Sequence, residues 1–156
     1  MASAVATDKI ACHALFQMWD HDPGTASAIG LTPDGGTTER WVDMRDYHNF
    51  AVALMATVMG GSGPTLLEII ASEAEDDGDA SVTVVKTSGT IAADLMGDWA
   101  FQECTAEEIA HLSSTYDLRY VTARITCQNA GDEAVAVFYA EPKSPHDAVT
   151  AATTIA

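Results

Sequence analysis

The sequence predicts an all-β protein, an antiparallel β-sandwich of jelly-roll type with an extended N-terminal arm and a short C-terminal tail. Three observations lead there. At least five runs alternate bulky apolar residues with small or polar ones, the period of two that marks a pleated strand. Turns rich in Gly, Asp and Asn divide those runs, and no strand–helix–strand rhythm appears, which favours antiparallel packing over a parallel α/β fold.

Residues 1–40 mix Ala, Ser, Thr, Gly, Pro and Asp without a sustained period and read as an extended arm or loops, with room for short strands. Asp22-Pro23-Gly24 and Asp34-Gly35-Gly36 are strong turn signals there. The pattern changes at Trp41, where a sandwich domain is predicted over 41–142. Within 47–59, His48, Phe50, Val52, Leu54 and Val58 alternate with small residues, and Gly60-Gly61-Ser62-Gly63-Pro64 separates this strand from a second over 65–72. The spacing predicts a hairpin.

An acidic loop at 73–79 precedes a Val-rich strand over 81–87, and 88–102 shows no clear period. Thr105 followed by Glu108 is a capping-box pattern, and with Ile109 and Leu112 three apart it predicts a helix of about two turns. Strands over 118–127 and 134–141 follow, joined by Gln128-Asn129-Ala130-Gly131-Asp132, which again suits a hairpin. Pro142 and Pro145 end the sheet, and 143–156 forms the tail.

Charge and cysteine usage narrow the functions. The 156 residues carry 23 acidic and 7 basic side chains, a formal charge of -16, which repels nucleic acid and anionic membranes. No apolar run reaches the roughly 20 residues of a membrane-spanning helix, and the small, uncharged 1–7 lacks the basic start of a signal peptide. Cys12, Cys104 and Cys127 have no CxxC spacing, so neither a disulfide framework nor a zinc knuckle is expected, and Cys127 reads as a small core residue.

Catalytic and metal signatures are missing. The five histidines include no HExxH pair. Trp19-Asp20-His21-Asp22 offers two carboxylates and an imidazole, but neighbours in an extended chain point to opposite sides, so no metal is predicted. The acidic loop departs from the EF-hand template and reads as a solvated turn. Gly61-Ser62-Gly63 lacks the strand-to-helix context of a nucleophile elbow, and Pro64 replaces the Gly-Lys of a phosphate loop. The expectation is a non-enzyme without cofactor, working through contacts. Its candidate interface residues are Met18, Trp19, Trp41, Trp99 and Ile155, since such side chains anchor partners where they are not simply buried beneath loops.

Trp41-Val-Asp-Met-Arg-Asp-Tyr-His-Asn-Phe-Ala-Val-Ala-Leu-Met, Gly60-Gly61, Thr65-Leu-Leu-Glu-Ile-Ile-Ala-Ser-Glu-Ala and Asp77-Gly78 form one set of strands and turns. Tyr120-Val-Thr-Ala-Arg-Ile-Thr and the closing Glu141-Pro142 complete it. Over 41–142 this pattern resembles the capsid decoration, or head cement, proteins of tailed double-stranded-DNA bacteriophages. The resemblance implies a virion protein on the outer capsid surface, often a homotrimer, bridging major capsid protein subunits against the outward pressure of packed DNA. The acidic loops and scarce Lys depart from that family. A tail- or vertex-associated virion protein and a carbohydrate-binding sandwich, stacking sugars on Trp41 or Trp99, are the alternatives.

Overall fold

The alternation that begins at Tyr47 builds the strand around which the molecule is organised. Phe50, Val52, Leu54 and Ala56 fall on one face of it, and all four are buried. The computed structural model describes residues 15–21, 29–31, 41–58, 64–76, 78–88, 99–127 and 133–143. They form β1 (Leu15–His21), β2 (Ile29–Leu31), β3 (Val42–Asp43), β4 (Tyr47–Val58), β5 (Pro64–Ser72), β6 (Thr83–Thr87) and β7 (Trp99–Thr105). The helix α1 (Ala106–Ala110), β8 (Tyr120–Cys127) and β9 (Glu133–Pro142) follow.

Every pairing is antiparallel. One sheet has the order β1-β9-β4-β7, the other β2-β8-β5-β6 with β3 also paired to β8. β2 lies along the end of β8 near Cys127 and β3 along the end near Tyr120, so together they fill one strand position. First then pairs with last, β1 with β9; second with second-last, β2 and β3 with β8; third with third-last, β4 with β7. The middle pair is β5 with β6. A long antiparallel ribbon wound on itself in this way is a jelly roll, the predicted fold class.

Two sequence expectations are overturned. β4 and β5 do not form a hairpin, because both edges of β4 are taken by β7 and β9 and the chain crosses to the other sheet before β5. The same holds for β8 and β9, which lie in opposite sheets. A Gly-rich connection between two alternating runs looks the same whether the chain turns back or crosses the sandwich, and only the competing partners decide. β1 and β2 are the short strands within 1–40, and β1 pairs with β9 along its seven residues. The remainder of 1–40, the Gly-rich connection at 59–63 and the tail beyond 143 lie outside the described residues.

The core lies between the sheets. Phe50 and Phe138 meet edge to face, with ring centroids 5.5 Å apart, above Leu67, Ile69, Val121 and Ile125 of the facing sheet. Burying each such side chain contributes about 1.5–3 kcal/mol. Beside β7 the chain turns into α1, whose capping box is present as predicted. Thr105 Oγ1 accepts from the Glu108 N–H at 3.1 Å, and Glu108 Oε2 accepts from the Thr105 N–H at 2.9 Å. The helix is shorter than the two turns expected. It seats Ile109 in the core, and at the next turn Ser113 Oγ accepts from the Thr115 and Tyr116 N–H groups, diverting the chain.

The acidic loop is built from carboxylates that accept backbone N–H groups, Asp76 and Asp79 within their own turns and Glu73 across to a distant segment. Asp76 accepts from the Gly78 N–H at 2.8 Å, Asp79 from the Ser81 N–H at 2.7 Å, and Glu73 from the Asp117 N–H at 2.8 Å. Two hydrogen bonds from the Ser81 hydroxyl and N–H hold the Asp79 carboxyl below its usual value. These oxygens are engaged in structure.

Candidate functional site

The two outer faces of the sandwich differ in chemistry. On the five-stranded sheet, Glu68 of β5 faces Arg124 of β8, whose Nε and Nη2 reach Oε2 at 2.8 and 2.7 Å. Beside that pair Ile70 and Thr122, which share its face by register, are fully buried, so this side of the sandwich is covered there. On the four-stranded sheet, three large apolar residues among those that alternate with the core positions, Met55, Trp99 and Phe101, stay exposed.

Register defines the outer rows across β9, β4 and β7. Val135, Met55 and Trp99 form the first, Val137, Ala53 and Phe101 the second, Tyr139, Ala51 and Glu103 the third. Glu141, Asn49 and Thr105 form the fourth, where Asn49 Nδ2 donates to Glu141 Oε2 at 2.5 Å. Trp99 is 70 % exposed, and Met55 and Phe101 are each 47 % exposed. Val135, Val137 and Tyr139 are half-buried. Large apolar groups kept in water across two adjacent rows mark an interaction surface, since scattered single residues would not be contiguous.

The face has relief. Its middle strand presents Ala51 and Ala53, flanked by Tyr139 and Val137 on one side and by Phe101 and Glu103 on the other. Neighbouring strands lie about 4.8 Å apart, so the flanking rows stand about 10 Å from each other across a floor of methyl groups. At the β7 side this trough opens into a cleft of about 530 Å³ whose lining includes Asn49, Phe101, Glu103, Tyr139 and Lys86.

Charge is one-sided. No Lys or Arg stands in the four rows, whereas Glu103 and Glu141 are exposed in them. Lys86 of β6, which lines the cleft, is held by Glu108 at 2.6 Å. That contact keeps the Glu108 carboxyl below its usual value and the Lys86 ammonium above its own. Behind β7, burial pushes the Cys104 thiol up to about 12, so it stays protonated and inert at neutral pH. Among the described residues no three His, Cys, Asp or Glu side chains gather to hold a metal ion. The chemistry available to this face is burial, stacking and attraction of positive charge.

Of the sequence candidates, Trp99 is seated on the exposed face. Met18 is paired with Val137 and Trp19 with Ala136, which places both in the same sheet. Trp41 is half-buried and precedes β3, in the other sheet, and Ile155 lies outside the described residues. Sequence reasoning missed Met55, Phe101, Val137 and Tyr139. In β7, Trp-Ala-Phe-Gln-Glu-Cys-Thr does alternate, but hydrophobicity points the wrong set inward. Ala100, Gln102 and Cys104 share the face of Leu54, Val52 and Phe50, while Trp99 and Phe101 face out.

No family model and no curated protein matches this chain. Among solved structures, the chain is similar to the carbohydrate-binding module of endoglucanase Cel5A from Eubacterium cellulosolvens. The identity is 19%, over 84% of this chain and 99% of that one, with a TM-score of 0.35. It is also similar to the structure of infectious bursal disease virus Gx strain, at 14% identity over 86% of this chain and 30% of that one, with a TM-score of 0.39. The functional reading rests on the exposed face.

Proposed function

We propose that this chain is a non-catalytic virion protein that decorates a tailed-virus capsid, docking on a protein surface through the outer face of its four-stranded sheet. The observation that carries the reading is the contiguous exposure of Met55, Trp99 and Phe101 on a chain that otherwise keeps a charge of -16 in water. Burying such a face against a protein returns about 25 cal/mol for each Å² of apolar surface removed from water. A jelly roll hosts both capsid and lectin domains, so the fold does not choose between them. The strand-and-turn likeness of 41–142 to head decoration proteins supports the virion reading.

In this role the sandwich adds contact area between neighbouring major capsid subunits, area that must be lost before the shell opens. A homotrimer on the outer capsid surface is the arrangement the family likeness favours. Quantitative mass spectrometry of purified particles tests it: hundreds of copies per particle support head decoration, and a few dozen or fewer point to a vertex or tail. Absence from the particle ends the proposal.

A second reading has one specific observation behind it. Trp99 and Phe101 sit two residues apart on one strand with their side chains in solvent, the form of a sugar-stacking platform. Binding on a glycan array that is lost in Trp99→Ala would establish carbohydrate recognition in place of capsid docking.

A further inference from the structure

We infer that the occupant of the trough along β4 is a basic, extended protein segment, with apolar side chains toward Trp99 and a Lys or Arg toward Glu103 and Glu141. The inference rests on the docking role proposed above and names the partner's chemistry.

The trough's width comes first. Flanking rows about 10 Å apart, over a floor of Ala51 and Ala53, leave the breadth of one extended chain. Its polarity comes second. Met55, Trp99 and Val135 make one end wholly apolar, Phe101 and Val137 continue it, and carboxylates appear at Glu103 and Glu141. Trp99 and Glu103 are four strand residues apart, about 13 Å, which an extended partner spans in the same number of residues. A segment with apolar residues at i and i+2 and a cation at about i+4 therefore meets apolar, apolar and acidic positions in turn.

Charge then decides among occupants. A second copy of this chain would bring its own net charge of -16 toward carboxylates whose cleft holds a cation, Lys86, that is already engaged by Glu108. A neutral glycan could stack on Trp99 and donate hydroxyls to Glu103 or Glu141, but it would leave their negative charge uncompensated. A cation is attracted by both carboxylates and by the faces of Phe101 and Tyr139.

The test is titration calorimetry of the full chain with three synthetic peptides of about 10 residues, the length of the trough plus its margins. One is apolar–basic in the order given, one has Glu in place of the cations, and one carries the cations at the opposite end. The expected result is that the first binds, and that Phe101→Ser weakens it by about tenfold or more. Glu103→Gln with Glu141→Gln should weaken it less, and should flatten its salt dependence between about 0.1 M, with a Debye length of about 10 Å, and about 1 M, with about 3 Å. Backbone amide shifts confirm that each variant is folded. Equal binding of the basic and acidic peptides, binding of none, binding of neutral oligosaccharides alone, or self-association abolished by Phe101→Ser would each overturn the inference. Particle incorporation separates the two claims. If Phe101→Ser loses incorporation while the double Gln variant keeps both incorporation and the salt dependence of wild type, docking stands and the basic segment falls.

Discussion

Phe138 and Trp99 are aromatic residues of one sheet, and their opposite exposures give them opposite roles. Phe138 is fully buried against Phe50, so Phe138→Ala should cost about 3–5 kcal/mol of stability, read from urea unfolding midpoints at unchanged slope. Cys104 supplies a second check at this scale. Its thiol is raised from 9.0 to about 12 by burial, so in a Cys12→Ser, Cys127→Ser background it should react with iodoacetamide at neutral pH only as fast as the protein opens. Rapid labelling of the native state would place β7 differently. The sign follows: the unfolded thiol ionises first, so this group's contribution is complete below pH 9.0 and drains away as pH rises toward 12.

At the scale of elements, one side of the sandwich is closed by α1 and the Lys86–Glu108 ion pair. Glu108 serves twice, completing the capping box with Thr105 and receiving Lys86 from the edge strand of the opposite sheet. Thr105→Ala should cost about 1 kcal/mol through the lost cap. A double-mutant cycle of Lys86→Met and Glu108→Gln, measured by thermal unfolding, should return only a small coupling that added salt weakens further, as for other exposed pairs. The capping box was legible because it is local: Thr105 and Glu108 recognise each other wherever the chain goes. The strands over 47–59, 65–72 and 118–127 were legible for the same reason, since Phe50, Val52 and Leu54 announce their common face. What was not legible is which strands meet. Gly60-Gly61 and Asn129 to Gly131 signal a turn, yet the turn's destination depends on β7 and β9 occupying both edges of β4, a fact of distant sequence. The docking face was hidden by the same limit. Trp99 was singled out as a residue and Phe101 shares its face by alternation along β7, but Met55 and Tyr139 join them only through the pairing of β7 and β9 with β4.

Over the whole molecule, the charge of -16 opposes compaction, and the two terms that respond to pH act in different windows. Lowering pH from neutrality toward about 5 protonates part of the acidic surface and should raise the melting temperature. Glu108 and Asp79 have carboxyls held below their usual 4.5 and 3.8, so their contribution is complete above those values and is lost as pH falls through the lower folded ones. Differential scanning calorimetry should therefore find a stability maximum on the acid side of neutrality, followed by a decline. Added salt at neutral pH should raise the melting temperature by screening like charges. A fall with salt would show attractive pairs such as Lys86–Glu108 outweighing the net repulsion.

Docking through the four-stranded sheet is tested most directly by the occupancy of particles carrying Trp99→Ser with Phe101→Ser in place of wild type. Both side chains are exposed, so the variant should unfold within about 1 kcal/mol of wild type, which circular dichroism and urea titration establish first. The expected result is a folded chain that is absent or strongly depleted from purified particles on which wild type is abundant. Equal occupancy by the folded double variant would contradict docking through this face.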